Sequence, residues 1–155
     1  MKLFTLLTAA AGAVTMIGCS NDVKVASPDG RIQTAVTLDE TGVPSLSVEV
    51  DRQMLIAPSR LGLETADLNL ASGFEIETVE KDHRDETWTQ PWGENREIHD
   101  CHNEIAVKMR NPEGVALTLR IRAFDDGVGF RYEYDTPADS LLIMDELTQL
   151  NFARD

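Results

Sequence analysis

The chain has 155 residues, 42% hydrophobic and 26% charged, with a formal net charge of -13 at pH 7. That length and composition suit one globular domain whose core needs neither a metal nor a disulfide staple, and the two cysteines, Cys19 and Cys101, are too few to build a disulfide framework. The charge excludes nucleic acid as a partner, because the fourteen Lys and Arg residues are scattered and form no clustered basic face.

Met1 and Lys2 form a short positive stretch, and Leu3 to Gly18 is an unbroken apolar and small run. A membrane span needs about 20 such residues, so residues 1–18 read as a secretory signal peptide. The run closes as Met16-Ile17-Gly18-Cys19, which resembles a bacterial lipoprotein box with Met where Leu is more usual. Cys19 is then the lipidation site and residues 19–26 a lipidated cysteine with a short linker. Lipid would hold the folded part, residues 27–155, at a bacterial membrane, periplasmic or on the cell surface. The alternative is a signal cut elsewhere, with Cys19 left as an ordinary thiol.

After the signal, period-two stretches dominate. Arg31 to Leu38 precedes a turn at Asp39 to Gly42, and then Leu46, Val48 and Val50 alternate with Ser45, Ser47, Glu49 and Asp51 in a half-buried strand pattern. Further turns are predicted at Pro28-Asp29-Gly30, Ala71-Ser72-Gly73, Asn111 to Gly114 and Asp125-Asp126-Gly127. The clearest alternation is late: Leu117, Leu119, Ile121 and Ala123 oppose Thr118, Arg120 and Arg122, and Phe130, Tyr132 and Tyr134 follow the glycine turn. This predicts an antiparallel hairpin. No stretch keeps a helical period for three turns, so the fold class is all-β, with short strands arranged as a sandwich or barrel. Asp139 to Leu150 is ambiguous, since Leu141-Leu142-Ile143-Met144 suits a strand or a single helical turn.

Polar chemistry concentrates in Trp88 to Val107, which holds both tryptophans and two of the three histidines. His99 and Cys101 would share one face of a strand while His102 points away, so at most two ligands converge where a structural zinc needs four, and no metal site is predicted. Asp125-Asp126-Gly127 reads as a plain hairpin turn, because Phe130 and Tyr132 stand where a calcium loop would continue its oxygen ligands. Glu94, Glu97 and Glu104 could supply the acid and base of glycoside cleavage, but glutamates in a chain with 27 acidic residues are ordinarily solvated. Trp88 and Trp92 could stack on sugar rings, although core burial is the ordinary use of tryptophan. No nucleophile elbow, phosphate loop or HExxH is present.

Several segments together carry a resemblance. These are SPDGRI at Ser27 to Ile32, SRLGLE at Ser59 to Glu64, Trp88 to Glu94 with Glu97 to Glu104, and the hairpin Arg120 to Tyr134. In this order they resemble the amino-terminal domain of glycoside hydrolase family 97, calcium-dependent α-glucosidases and α-galactosidases of bacteria that harvest polysaccharides. The resemblance implies an antiparallel β-sandwich, a super-sandwich of the galactose mutarotase-like kind, incomplete at its carboxyl end. In that family a (β/α)8 barrel follows and carries the catalytic carboxylates and most calcium ligands, so no residue here inherits a catalytic or metal role. The resemblance places Trp88, Trp92, Glu94, Asn103 and Glu104 near the edge facing the barrel, where they would contact the barrel or an oligosaccharide. Cys101-His102 departs from the family pattern of a basic or polar residue followed by tyrosine. The alternative function is a free-standing carbohydrate-binding lipoprotein.

Overall fold

A computed structural model describes residues 22–134 and 140–153. The signal and lipoprotein-box readings, including Cys19, lie outside the described residues. Twelve strands run β1 (Val23–Ala26), β2 (Ile32–Leu38), β3 (Pro44–Val50), β4 (Gln53–Arg60), β5 (Leu63–Thr65), β6 (Asn69–Leu70), β7 (Glu75–Thr89), β8 (Glu97–Arg110), β9 (Ala116–Ala123), β10 (Val128–Tyr134), β11 (Ile143–Glu146) and β12 (Asn151–Phe152). There is no helix among the described residues, as the absence of a helical period predicts. Within the segment left ambiguous, Ile143–Glu146 forms strand β11.

The strands form a five-stranded sheet ordered β1-β2-β3-β4-β12, a four-stranded sheet ordered β10-β9-β8-β7, and a small sheet ordered β11-β5-β6. All pairings are antiparallel. The two larger sheets face one another, and the period-two faces meet between them. Val25, Val36 and Leu46 come from one side; Ile105, Val107, Met109, Leu117, Leu119 and Ile121 come from the other. The predicted inward set of Leu117, Leu119, Ile121 and Ala123 is wholly buried. Leu61, Leu63, Leu70 and Phe74 close the side of this core, and the Tyr132 hydroxyl pins that side by accepting from Gly62 N at 3.0 Å and pairing with the Thr148 hydroxyl at 2.7 Å.

The predicted turns at Ser27 to Gly30, Asp39 to Gly42 and Asn111 to Gly114 each close with a backbone hydrogen bond, and Phe124 N donates to Gly127 O at 2.8 Å across the Asp125-Asp126-Gly127 turn. Gly42 is required by more than its turn. Its φ is 70°, and a side chain there would meet Phe74 N at 2.3 Å, because Phe74 N donates to Gly42 O at 3.0 Å where the two loops lie backbone to backbone.

Residues 23–26, read as linker, are instead strand β1 of the five-stranded sheet, with Val25 in the core. Two further readings need correction. Asp51 does not continue the alternation of Val50: Asp51 and Arg52, both at positive φ (51° and 64°), form the two-residue turn between β3 and β4. Neither is the glycine or asparagine such turns favour. The Asp51 carboxylate accepts from Arg31 Nε at 3.0 Å and from Nη2 at 2.8 Å, which anchors the turn from the residue just before β2. Second, the strands are not all short. β7 spans 15 residues, nearly all exposed, and as an outer strand it has no buried face to impose a period on its sequence.

Candidate functional site: the free half of the β7–β8 ribbon

Strands β7 and β8 pair from Glu75↔Arg110 to Thr89↔Glu97. Strand β9 supports β8 only up to Asn103↔Ala123. Beyond that point the ladder stands on two strands and projects past the sandwich, so side chains that would be core-facing further along β8 have no opposing sheet.

Trp88 and Trp92 lie on this free half, and core burial, the ordinary expectation for tryptophan, is therefore overturned: they are 47% and 84% exposed. Trp92 sits with Glu94 in the loop at the tip, where Gln90 N donates to Arg96 O at 3.0 Å and Gln90 Nε2 to Asn95 O at 2.9 Å. Gly93 adopts φ 121° over the Gln90 side chain. Glu94 and Glu97 are exposed, as solvated glutamates should be.

Asn103 and Glu104 belong to a different setting, at the base of the ribbon. Asn103 faces the other sheet: its Nδ2 donates to Ala26 O at 2.8 Å, and its Oδ1 lies 2.7 Å from His83 Nδ1. Glu104 points to the outer face of the four-stranded sheet, yet it is only 8% exposed, so it is not the solvated glutamate expected from composition. Arg122 stands opposite it and Arg120 diagonally. Arg120 Nη1 reaches Glu104 Oε1 at 2.5 Å and Arg122 Nε reaches Oε2 at 2.6 Å, while Arg120 also donates to both oxygens of Glu133 at 2.6 and 3.0 Å. Burial pushes the Glu104 carboxyl up, but the hydrogen bonds from Arg122 and Arg120 outweigh it and the carboxyl titrates below its ordinary value. Arg120 first, then Arg131, hold Glu133 down at about 2. Carboxylates clamped in this way are poor proton donors near neutral pH, so this grid is suited to holding the sheet face together and not to acid catalysis.

On the even side of β8, His102 is buried, contacts Asp100 Oδ1 through Nδ1 at 2.5 Å and packs on Phe124 with ring centroids 4.9 Å apart. On the odd side, His99 and Cys101 share a face, as strand geometry predicts. The register adds a residue that was not foreseen: Asp85 of β7 lies directly opposite Cys101, and its Oδ1 is 2.7 Å from His99 Nε2. The ligand atoms of Asp85, His99 and Cys101 all lie within 4.8 Å of one another. Desolvation first, then the Asp85, Asp125 and Asp100 carboxylates, hold the Cys101 thiol above its ordinary value. Calcium, the metal of the resembled family, does not fit this donor set, because it takes six to eight hard oxygen ligands. At the Asp125-Asp126-Gly127 turn, Asp125 Oδ1 accepts from Asp29 N at 2.9 Å and ties the β9–β10 turn to the β1–β2 turn.

Sheet order, core and outward ribbon define an antiparallel β-sandwich domain. The family follows from the sequence match: residues 25–155 fit the family described as glycosyl-hydrolase 97 N-terminal, and the chain belongs to it. Among solved structures, a Glu-to-Gln variant of a glycoside hydrolase family 97 enzyme from Pseudoalteromonas sp. strain K8, in complex with panose, superposes with a TM-score of 0.77 at 35% identity, covering 84% of this chain and 20% of that one. The complex of a family 97 enzyme from that strain with acarbose gives the same values. A β-arabinopyranosidase structure, at 24% identity and a TM-score of 0.77, shares the fold. A protein of Streptomyces bingchenggensis (strain BCW-1) named "Probable retaining alpha-galactosidase" is 29% identical over 105 residues, which is 68% of this chain and 16% of that protein. The chain thus spans about a sixth to a fifth of the length of the relatives it matches.

Proposed function

We propose that this chain is the non-catalytic amino-terminal sandwich of a secreted, lipid-anchored family 97 glycoside hydrolase of α-glucosidase or α-galactosidase type, serving polysaccharide utilisation. In this reading it scaffolds a catalytic barrel that supplies the reacting carboxylates and any calcium. The observation that carries the reading is the coverage: 84% of the chain aligns with family 97 enzymes solved in complex with panose and acarbose, yet accounts for only 20% of their chains. The clamped state of Glu104 and Glu133 agrees with a structural role. Exposed Leu142, Ile143, Met144, Leu150 and Phe152 border the small sheet and the β12 edge, and they offer an apolar face for a neighbouring domain.

The experiment is an assay of the purified chain against maltooligosaccharides and aryl α-galactosides. No sugar release is expected, and release by this chain alone would overturn the reading. Anchoring is tested separately by metabolic labelling with an alkyne fatty acid; a Cys19→Ala form that labels equally would remove the lipid from the proposal.

A second reading, a carbohydrate-binding lipoprotein that does not cleave, is favoured by the exposure of Trp92 beside Trp88 on the free ribbon. Titrating maltooligosaccharide against tryptophan fluorescence separates the two. A saturable change that disappears in Trp92→Ala supports binding, and an unchanged spectrum at millimolar sugar counts against it.

A further inference from the structure

We infer that Asp85, His99 and Cys101 form a binding site for a borderline-soft divalent transition ion, zinc being the representative, with a fourth position left for water. Three observations on the ribbon carry this. First, the three side chains stand on one face by construction: Asp85 and Cys101 are paired across the ladder, and His99 is two residues from Cys101 along β8. Second, the separations fit. Bonds of about 2.0 to 2.3 Å in a tetrahedral arrangement place neighbouring ligand atoms about 3.3 to 3.6 Å apart, and the three atoms here already lie within 4.8 Å of one another. The 2.7 Å contact between His99 Nε2 and Asp85 Oδ1 needs only to open by a fraction of an ångström to admit an ion between them. Third, the donor set is one imidazole nitrogen, one sulfur and one carboxylate oxygen, which suits zinc or cobalt and discriminates against magnesium and calcium.

Binding joins the two strands where no third strand does. It displaces the Cys101 thiol proton to solvent and forms a metal–thiolate bond, with no redox step. His83 sits further along the same face but is engaged with Asn103, and His102 points to the opposite face, so neither is a ligand.

The test is cobalt(II) titration of the full chain carrying Cys19→Ser, so that Cys101 is its one thiol. Saturation at one ion per chain is expected, with a near-ultraviolet thiolate-to-cobalt charge-transfer band and visible bands of four-coordinate cobalt, bleached by one equivalent of zinc and unaffected by excess calcium. Cys101→Ser should abolish the charge-transfer band. His99→Ala and Asp85→Asn, surface changes that leave the circular dichroism spectrum intact, should each weaken binding about ten-fold or more, while His83→Ala leaves it unchanged. Absence of a thiolate band at stoichiometric cobalt, or a band of equal strength and affinity in His99→Ala, would overturn the site.

Discussion

The two halves of the β7–β8 ribbon share one antiparallel ladder, shifted in register only between Ile76 and Thr78, and differ in almost everything else. From Asn103 to Arg110, β8 is backed by β9 and by the opposite sheet, and Ile105, Val107 and Met109 are buried. From Glu97 to His102 it has only β7 beside it, and the residues that could act on a ligand gather there. Pairing with β7 is common to both halves, whereas pairing with β9 is confined to the backed one. What separates scaffold from site is therefore a third strand beside β8 and a second sheet over its face.

Met109→Ala tests the backed half most severely: truncating this fully buried side chain should lower unfolding free energy by about 3 kcal/mol, read from denaturant midpoints. Arg120→Met removes a shared partner of Glu104 and Glu133, and it should cost about 2 kcal/mol, since Arg122 and Arg131 retain part of the pairing. The same grid makes the sheet acid-sensitive. Glu133 titrates at about 2 in the folded chain against about 4.3 unfolded, so its contribution is fully present above pH 4.3 and is lost as pH falls toward 2. Arg120→Met should flatten that acid slope, and equal slopes for both proteins would break the assignment. In the free half, Trp92→Ala should change stability by less than about 0.5 kcal/mol. A loss of several kcal/mol there would show that the tip is packed and the comparison false. Hydrogen exchange sharpens the contrast within one strand: amides of residues 104–110 should be protected far longer than those of 97–102.

The legibility of the sequence divides along the same line. Strands β9 and β10 were readable because one face of each is covered, and burial writes a period of two into Leu117, Leu119 and Ile121. Glu75 to Thr89 was unreadable as a strand because neither face is buried and its residues obey no period. The Asp51-Arg52 turn carried no glycine signal, since the tie to Arg31 holds it where sequence chemistry would not. Asp85 was missed for a topological reason. It stands far from Cys101 in sequence, and only the register fixed by the Gln90 to Arg96 turn sets them face to face. Centring the hairpin on Gly93 would have placed them opposite each other. The core burial that is ordinary for tryptophan fails at Trp88 and Trp92, because composition cannot say that a strand outruns its sheet.

The short strand β12 closes the five-stranded sheet by pairing Asn151 with Ala57, and Asn151 N donates to the Ser59 hydroxyl at 2.9 Å. A chain emerging from the ribosome therefore exposes the outer edge of β4 throughout the synthesis of everything between. That interval leaves an open β-edge available to other nascent chains until residue 151 arrives to cover it.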